Sequence, residues 1–561
     1  MKKKLLPLLL LASLTGKAQT ITSIQQVNDV ATFTTIKDAR VRYDGSDWVR
    51  KSGTVTSSTP GYGAIVLAGP SGAYYQRDYV GPASAAWFGV KTDDADMGPE
   101  LQAAVNAVND LYIPDGSYTQ LTPVNMRSNV IIHANPGKAI INLPNQYISL
   151  NNAWDATLLE NITIDGLSWT VTSNQRVDGS YGPVTIDGPS LNNITIKNCF
   201  SQQLSSTCNV NAVFFKIGND RSWNGVTVKD NRFVNHRMGV EFIGQFLKTP
   251  YRGKYIAVKD NRIEGCGFGV SVAGTFDGVE VDHNYFKDCP TYAIEYAGAL
   301  RNARLTNNQF EGTFGGSIIA LNWTNNGDGQ IKGGYYIAGN STVDTCNAKM
   351  EWYGGGAIQC VNNKFLMTGP LVLFKFASGG TFTGNTIFVK NTNYAVKFQD
   401  CTQNKFSSNY ISNETFSGNF ATVFASGSAA NNLITNNTVV QYPGAGSWLG
   451  TWPAINGAFK AYNNYDKNGN PLNAGSAAAR VATVSGANGE ADFAGDGVKT
   501  QFVITHGLGY TPSFFSADAG SMDASNIQYS TADDTSITVF YATPPPASGS
   551  GNNLKIVWSA K

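Results

Sequence analysis

Two glutamates on short apolar strands are the residues whose type and spacing best suit bond-breaking chemistry. Glu241 lies in Gly239-Val-Glu-Phe-Ile-Gly244 and Glu295 in Ala293-Ile-Glu-Tyr-Ala-Gly298, with Gly269-Val-Ser-Val-Ala-Gly274 between them. Alternation puts Val240 and Phe242 on one face and Glu241 on the other. Continuing the register through Ser317-Ile-Ile-Ala-Leu321 and Lys349-Met-Glu-Trp-Tyr-Gly354 exposes Ser271, Glu295, Ile319 and Glu351. If these strands stack in parallel, Glu241 and Glu295 are two strands apart, about 9–10 Å at the backbone. Inverting glycosidases hold an acid and a base carboxyl about 6.5–9.5 Å apart, with room for the attacking water. Glu241 and Glu295 are therefore the expected catalytic pair. The competing reading makes them solvated glutamates on an outward face, although glutamate is disfavoured in strands.

Residues around the pair could hold a sugar chain. Tyr296, Trp323, Trp352 and Tyr353, with Asn322, fall on the same stretch of chain, and aromatic faces stack on sugar rings while polar edges stay free to bond. Trp352 also fits an inward position, since it follows outward Glu351. His236 and Arg237 precede the Glu241 strand; Arg237 could grip a substrate carboxylate or pair with a protein acid. Three functions follow: a depolymerase cleaving glycosidic bonds by inverting hydrolysis, a lyase acting by β-elimination on a uronate polymer, or a non-catalytic glycan-binding or adhesive protein. In the lyase reading Arg237, His236, Lys375 or Lys397 would supply the base and the positive charge.

The elements that must position these residues form a repeat. Asn-x-(Phe/Ile/Val) recurs at Asn198, Asn231, Asn261, Asn284 and Asn308, and again after a gap at Asn363, Asn385, Asn409 and Asn437. A period of this size marks one unit stacked on copies of itself. Each unit carries alternating runs such as Asn-Ile-Thr-Ile at 193–196 and Gly-Val-Glu-Val at 278–281, which argue strands rather than helices. The expected architecture is an all-β, right-handed parallel β-helix. Phe200, Phe233, Ile263, Phe286 and Phe310 should form an inward ladder, each covered by the next coil. The asparagines should occupy the turns, in left-handed backbone conformation, and bond to one another.

Composition is consistent with this. Charged residues are 14% of the chain, below the usual share of about 25%, and 59 of 561 residues are glycine. The formal net charge is +1, which gives no sign of a nucleic-acid partner. Met1-Lys-Lys-Lys, the apolar run from Leu5 to Leu14 and Gly16-Lys-Ala18 read as an export signal, residues 1–18, and no later apolar run is long enough to span a membrane. Seven cysteines do not make a disulfide framework in a chain this long. Cys266 and Cys289 each lie five residues after a repeat asparagine, with His236 and Thr313 in the same register, so adjacent coils should stack them as buried thiols or, alternatively, as a disulfide. No Cys-x-x-Cys pair or acidic cluster suggests a metal, and no cofactor is expected.

Trp87-Phe-Gly-Val-Lys-Thr-Asp-Asp94, a helix starting near Leu101-Gln-Ala-Ala, and Leu111-Tyr-Ile-Pro-Asp-Gly-Ser-Tyr118 resemble the entry into pectate-lyase-like right-handed β-helix proteins. That superfamily includes secreted polysaccharide lyases and hydrolases and the tailspike depolymerases of bacteriophages. The resemblance implies a helix capping the open end of the solenoid, a polysaccharide ligand and a homotrimer. Signatures of the polygalacturonase type (Asn-Thr-Asp, paired Asp, Gly-His-Gly, Arg-Ile-Lys) are missing from the solenoid, so the resemblance speaks for fold more than for reaction. The expected organisation is an N-terminal β-hairpin module at 19–85, the solenoid with its cap at 86–475, and a C-terminal β-sandwich at 476–561 for trimerisation or carbohydrate contact. Its expected location is extracellular, the alternative being a phage virion tail.

Overall fold

The structure, a computed structural model, describes residues 25–26, 30–173, 177–178, 181–204, 208–218, 220–244, 252–298, 300–322, 334–344, 346–353, 358–368, 372–375, 378–390, 394–413, 422–440, 448–452, 459–469, 472, 483–484, 487–506, 511–512, 515–549 and 551–560. The export signal read at 1–18 lies outside the described residues. Among the described residues no helix is long and apolar enough to cross a membrane.

The central chain is a parallel β-helix. Each coil contributes one strand to each of three sheets, as in Gly253–Lys259, Arg262–Glu264 and Phe268–Ala273. The first sheet starts with Ala83–Ser84 and Asp110–Tyr112 and runs to Thr483–Val484. The second and third contain 13 described strands each, all paired in parallel with the coil before and after. The helix Gly98–Ala107 closes the N-terminal end, with Leu101, Ala104 and Val105 buried on the first coils and a proline at its start. One continuous apolar core fills the solenoid.

The repeat asparagines form the spine of the fold. Asn231 Nδ2 donates to Asn261 Oδ1 at 2.9 Å, Asn261 to Asn284 at 2.9 Å, and Asn284 to Asn308 at 3.0 Å. The apparent gap in the motif is bridged by Asn340, which bonds Asn308 and Asn363, and the ladder continues to Asn464. These asparagines do not themselves adopt the left-handed conformation. The residue before each does: Asp230, Asp260, His283, Asn307, Asn362, Ser408 and Asn436 all have φ between 53° and 58°. The left-handed residue turns the chain so that the next side chain points inward, where its amide replaces the backbone bonds lost at the corner.

The first motif is out of register by one residue. Cys199, not Asn198, meets Asn231, and Phe200 pairs with Arg232 while Ser201 pairs with Phe233. The inward ladder thus reads Trp169, Ser201, Phe233, Ile263, Phe286 and Phe310. Phe200 stays half-buried on the outer face under the Arg232 guanidinium. Deleting the ring at Phe233 should cost about 3–5 kcal/mol and at Phe200 well under half of that, measured by denaturant unfolding of the two alanine variants.

Before the solenoid, an N-terminal sheet in the order Gln25–Gln26, Arg40–Tyr43, Ser46–Ser52, Ala73–Arg77, Val66–Ala68 encloses Phe33, Val41, Trp48, Leu67 and Tyr75. After it, two three-stranded antiparallel sheets, one of Ala487–Phe493, Leu554–Ala560 and Phe515–Ala519 and one of Gln501–Thr505, Ser536–Tyr541 and Ile527–Ala532, share a core of Phe502, Ile504, Ile537, Val539 and Ile556.

Candidate functional site

The outer face of the third sheet carries a column of side chains, one per coil. In order these are Thr185, Phe214, Glu241, Ser271, Glu295, Ala320 and Glu351, followed by Lys397 two strands further on. Val240, Phe242, Val270, Val272 and Ile294 alternate with them and point into the core. The column follows from period-two strands locked by the asparagine spine, so a residue's face is fixed by its distance from the turn. Ile319 was expected in this column. It is buried opposite Ile294 and Met350 instead, and Ala320 takes the outward place, because Ser317 pairs with Tyr292 and so Ala320 falls opposite Glu295.

Three carboxylates therefore share one line, with Glu295 two strands from Glu241 on one side and two from Glu351 on the other, about 9–10 Å each at the backbone. Glu241 is only 5% exposed. Asn211 Nδ2 donates to its Oε2 at 2.6 Å, and Arg237 Nη1 lies 3.5 Å from the same oxygen. Arg237 also donates to Asn211 Oδ1 at 3.3 Å. A guanidinium and an amide on a buried carboxylate favour its ionised form. Glu351 is equally buried, with Lys349 Nζ at 2.6 Å from Oε1 and Ser317 Oγ donating to Oε2 at 2.8 Å. Glu295 is more open; Ser271 Oγ donates to its Oε2 at 2.9 Å. Because Ser271 stands between the two, that bond leans Glu295 towards Glu241. The three acids are strung along the axis, and among the described residues no group of three acidic, histidine or cysteine side chains gathers around a point.

Other expected site residues fall elsewhere. Tyr296 and Trp352 pair with inward positions, Val272 and Leu321, and are buried in the core, Tyr296 against Tyr335 and Trp352 against Phe382. Period-two parity decides this: each follows an outward glutamate. Trp323 lies outside the described residues, and Asn322 and Tyr353 are placed only as ends of strands. Arg237 faces Glu241, so its charge serves the protein's own acid.

His236 is interior too. Its Nε2 is 2.9 Å from Ser201 Oγ, a hydroxyl of the inward ladder, and burial pushes the imidazole down to about 4. Neutral His236 is thus built into the core next to Cys266 and Cys289, which are free thiols whose ionisation burial opposes. With the folded value near 4 and an unfolded value near 6.5, stability is full above pH 6.5 and falls by a few kcal/mol as pH drops towards 4. Urea unfolding at pH 7.5 and pH 5 should show this loss, and a His236→Asn variant should show less of it.

Sequence reasoning missed several residues here. Asn211, Ser317 and Lys349, which hold the acids, carry no motif. Phe268 and Tyr292 were also missed: they pair on adjacent coils, half-exposed, with ring centroids 5.4 Å apart at 65°. Ser317 and Lys349 continue their row beside the carboxylates. On the opposite flank of the column stand Ala273 and Ala297, whose small side chains leave Glu295 partly open, while Ser271 beside it is buried.

No family model matches this chain, and no curated protein sequence matches it. Solved structures do. The N-terminal fragment of gene product 12 of bacteriophage phi29 is 12% identical, with 70% of this chain and 73% of that one covered at a TM-score of 0.50. The catalytic unit of a GH87 α-1,3-glucanase from Streptomyces thermodiastaticus is 14% identical over 72% and 74%, with a TM-score of 0.47. Tailspike protein 3 of bacteriophage CBA120 is 13% identical over 78% of each chain, also at 0.47. At these identities the likeness is one of fold, the parallel β-helix.

Proposed function

We propose that this protein is a polysaccharide depolymerase that hydrolyses glycosidic bonds on the outer face of its third sheet. The observation that carries the reading is the single register column holding Glu241, Ser271 and Glu295. Glu295, the more open acid, protonates the leaving oxygen; Glu241, kept ionised by Arg237 and Asn211, accepts a proton from the attacking water. The separation of about 9–10 Å between the two strands, shortened by the lean of Glu295, suits inversion. Glu351, held by Lys349 and Ser317 on the far side of Glu295, is the alternative partner. Phe268 and Tyr292 offer an aromatic flank on which sugar rings can stack. The polymer lies along the solenoid axis at the cell exterior, and the protein works as a homotrimer.

The non-catalytic reading has one observation in its favour: Glu241 and Glu351 are each tied to a basic side chain, as structural acids are. The lyase reading is weakened by the interior position of His236 and the pairing of Arg237 with Glu241. Product masses after digestion of neutral and acidic polysaccharides separate the three. Hydrolysis gives saturated fragments whose summed mass exceeds that of the parent by one water for each bond cleaved. Unsaturated fragments would transfer the reaction to β-elimination, and polymer that is bound but never shortened across the panel would establish a binding protein.

A further inference from the structure

The N-terminal sheet and the solenoid cap meet around a cavity of about 610 Å³, inside the range of roughly 300–1,000 Å³ seen for small-molecule sites, which favour domain junctions. One wall is the loop Ser57-Ser-Thr-Pro-Gly-Tyr-Gly-Ala64; the other is Trp87-Phe-Gly89 with Ala103 and Asn106 of the capping helix. It is distant in the chain from the carboxylate column and shares no residue with it.

The two walls are held in place by one buried arginine. Arg77 Nε donates to Ala64 O at 2.7 Å, which fixes the loop, while its guanidinium lies 4.6 Å from the centre of the Trp87 ring and 4.7 Å from that of Trp48 in the N-terminal core. Asp44 balances its charge at 3.3 Å. Tyr79 stands edge-on to Trp87 at 5.0 Å. Gly61, Gly63 and Gly89 have φ of 78°, 86° and 101°, so the backbone reaches the cavity where side chains would strain it. Ligand binding would meet a prepared site rather than order a loose one.

The chemistry of the lining selects the ligand. It has no charged side chain; it has aromatic surface from Tyr62, Trp87 and Phe88, and hydroxyl and amide groups from Ser57, Ser58, Thr59 and Asn106. Rings with an apolar face and a polar rim match this mixture, and an ionised group would find no counter-charge. We propose that this cavity is a second carbohydrate site, which binds an uncharged saccharide without acting on it and is independent of the third-sheet acids.

The test uses the full chain, titrated calorimetrically with neutral and acidic mono- and disaccharides, alongside Ala103→Trp, Asn106→Ala and Glu295→Gln. Ala103 is exposed on the capping helix, so the indole of A103W enters the cavity without entering the core. We expect a neutral saccharide to bind the parent chain, to bind A103W and N106A weaker by about tenfold or more, and to bind E295Q unchanged. Equal affinity in A103W and N106A would overturn the assignment, as would loss of binding in E295Q, preference for an acidic sugar, or no binding by any sugar tested. Failure of the hydrolase reading leaves these outcomes untouched, since none depends on cleavage.

Discussion

Glu295→Gln should abolish shortening of the polymer, with kcat reduced by about 10²–10⁴-fold and binding retained. Glutamine keeps the shape of the side chain and can still meet Ser271, but has no acidic proton to give the leaving oxygen. The position is half-buried and glutamine preserves an acceptor for the Ser271 hydroxyl, so the fold should tolerate the amide. Glu241→Gln should lower kcat by a similar factor and also destabilise the protein, because Arg237 loses the charge opposite it. Breaking a buried pair by removing one partner costs up to about 3–5 kcal/mol, and the 26% exposure of Arg237 reduces that figure. Thermal unfolding separates the two variants: E295Q inactive at near-parental stability, E241Q inactive and less stable. Glu351→Gln should lose stability but keep most of its activity. If E351Q rather than E241Q loses turnover, the pair is Glu295 with Glu351, which stands the same two strands away on the other side. Full activity in E295Q would end the hydrolytic assignment altogether.

The fold was legible because a solenoid writes its geometry into the chain once per coil. The asparagine repeat and the period-two runs are sufficient to give the sheets, the inward ladder from Phe233 to Phe310 and the outward face of Glu241, Ser271 and Glu295. Errors arose where the period breaks. Asn198 matches the motif, yet the ladder position belongs to Cys199, so Phe200 lies outside. On the coil after Glu295, Ser317 pairs with Tyr292, so that Ala320, not Ile319, stands opposite Glu295 in the column. Asn340 was hidden because a threonine follows where the motif has an apolar residue, although its side chain makes the same bonds.

The site was less legible than the scaffold for a related reason. Parity says which face a side chain leaves from, not what lies over it. Glu241 leaves from the outer face and is nevertheless buried, since Asn211 and Arg237 come from turns whose reach no periodicity describes. Tyr296 and Trp352 follow outward glutamates and so had to be inward; their aromatic character suggested a surface role that parity denied. His236 looked like a loop residue because its partner, Ser201, became inward only through the one-residue shift at Asn198.

The asparagine spine itself predicts a large change in stability. Asn284 Oδ1 accepts from both the backbone N–H and the side-chain amide of Asn261, at 3.0 and 2.9 Å, while its own Nδ2 donates to Val258 O at 2.8 Å and Asn308 Oδ1 at 3.0 Å. Asn284→Ala leaves the buried Asn261 N–H without its acceptor and takes a donor from Val258 and Asn308. At about 1–3 kcal/mol for each buried group left unpaired, the loss should be about 2–5 kcal/mol. Asn284→Asp tests the explanation more sharply. It keeps the acceptor that Asn261 needs, but sets a carboxylate oxygen against Val258 O, Asp282 O and Asn308 Oδ1, three acceptors with nothing to receive. At neutral pH N284D should therefore be less stable than N284A despite its closer shape, and the gap should narrow on acidification as the carboxyl takes up a proton and becomes a donor. Because each coil rests on its neighbours alone, hydrogen exchange should accelerate first in the coils around Asn261 and Asn308. An N284A chain within about 0.5 kcal/mol of the parent in urea unfolding would show that the ladder accompanies the fold without supporting it.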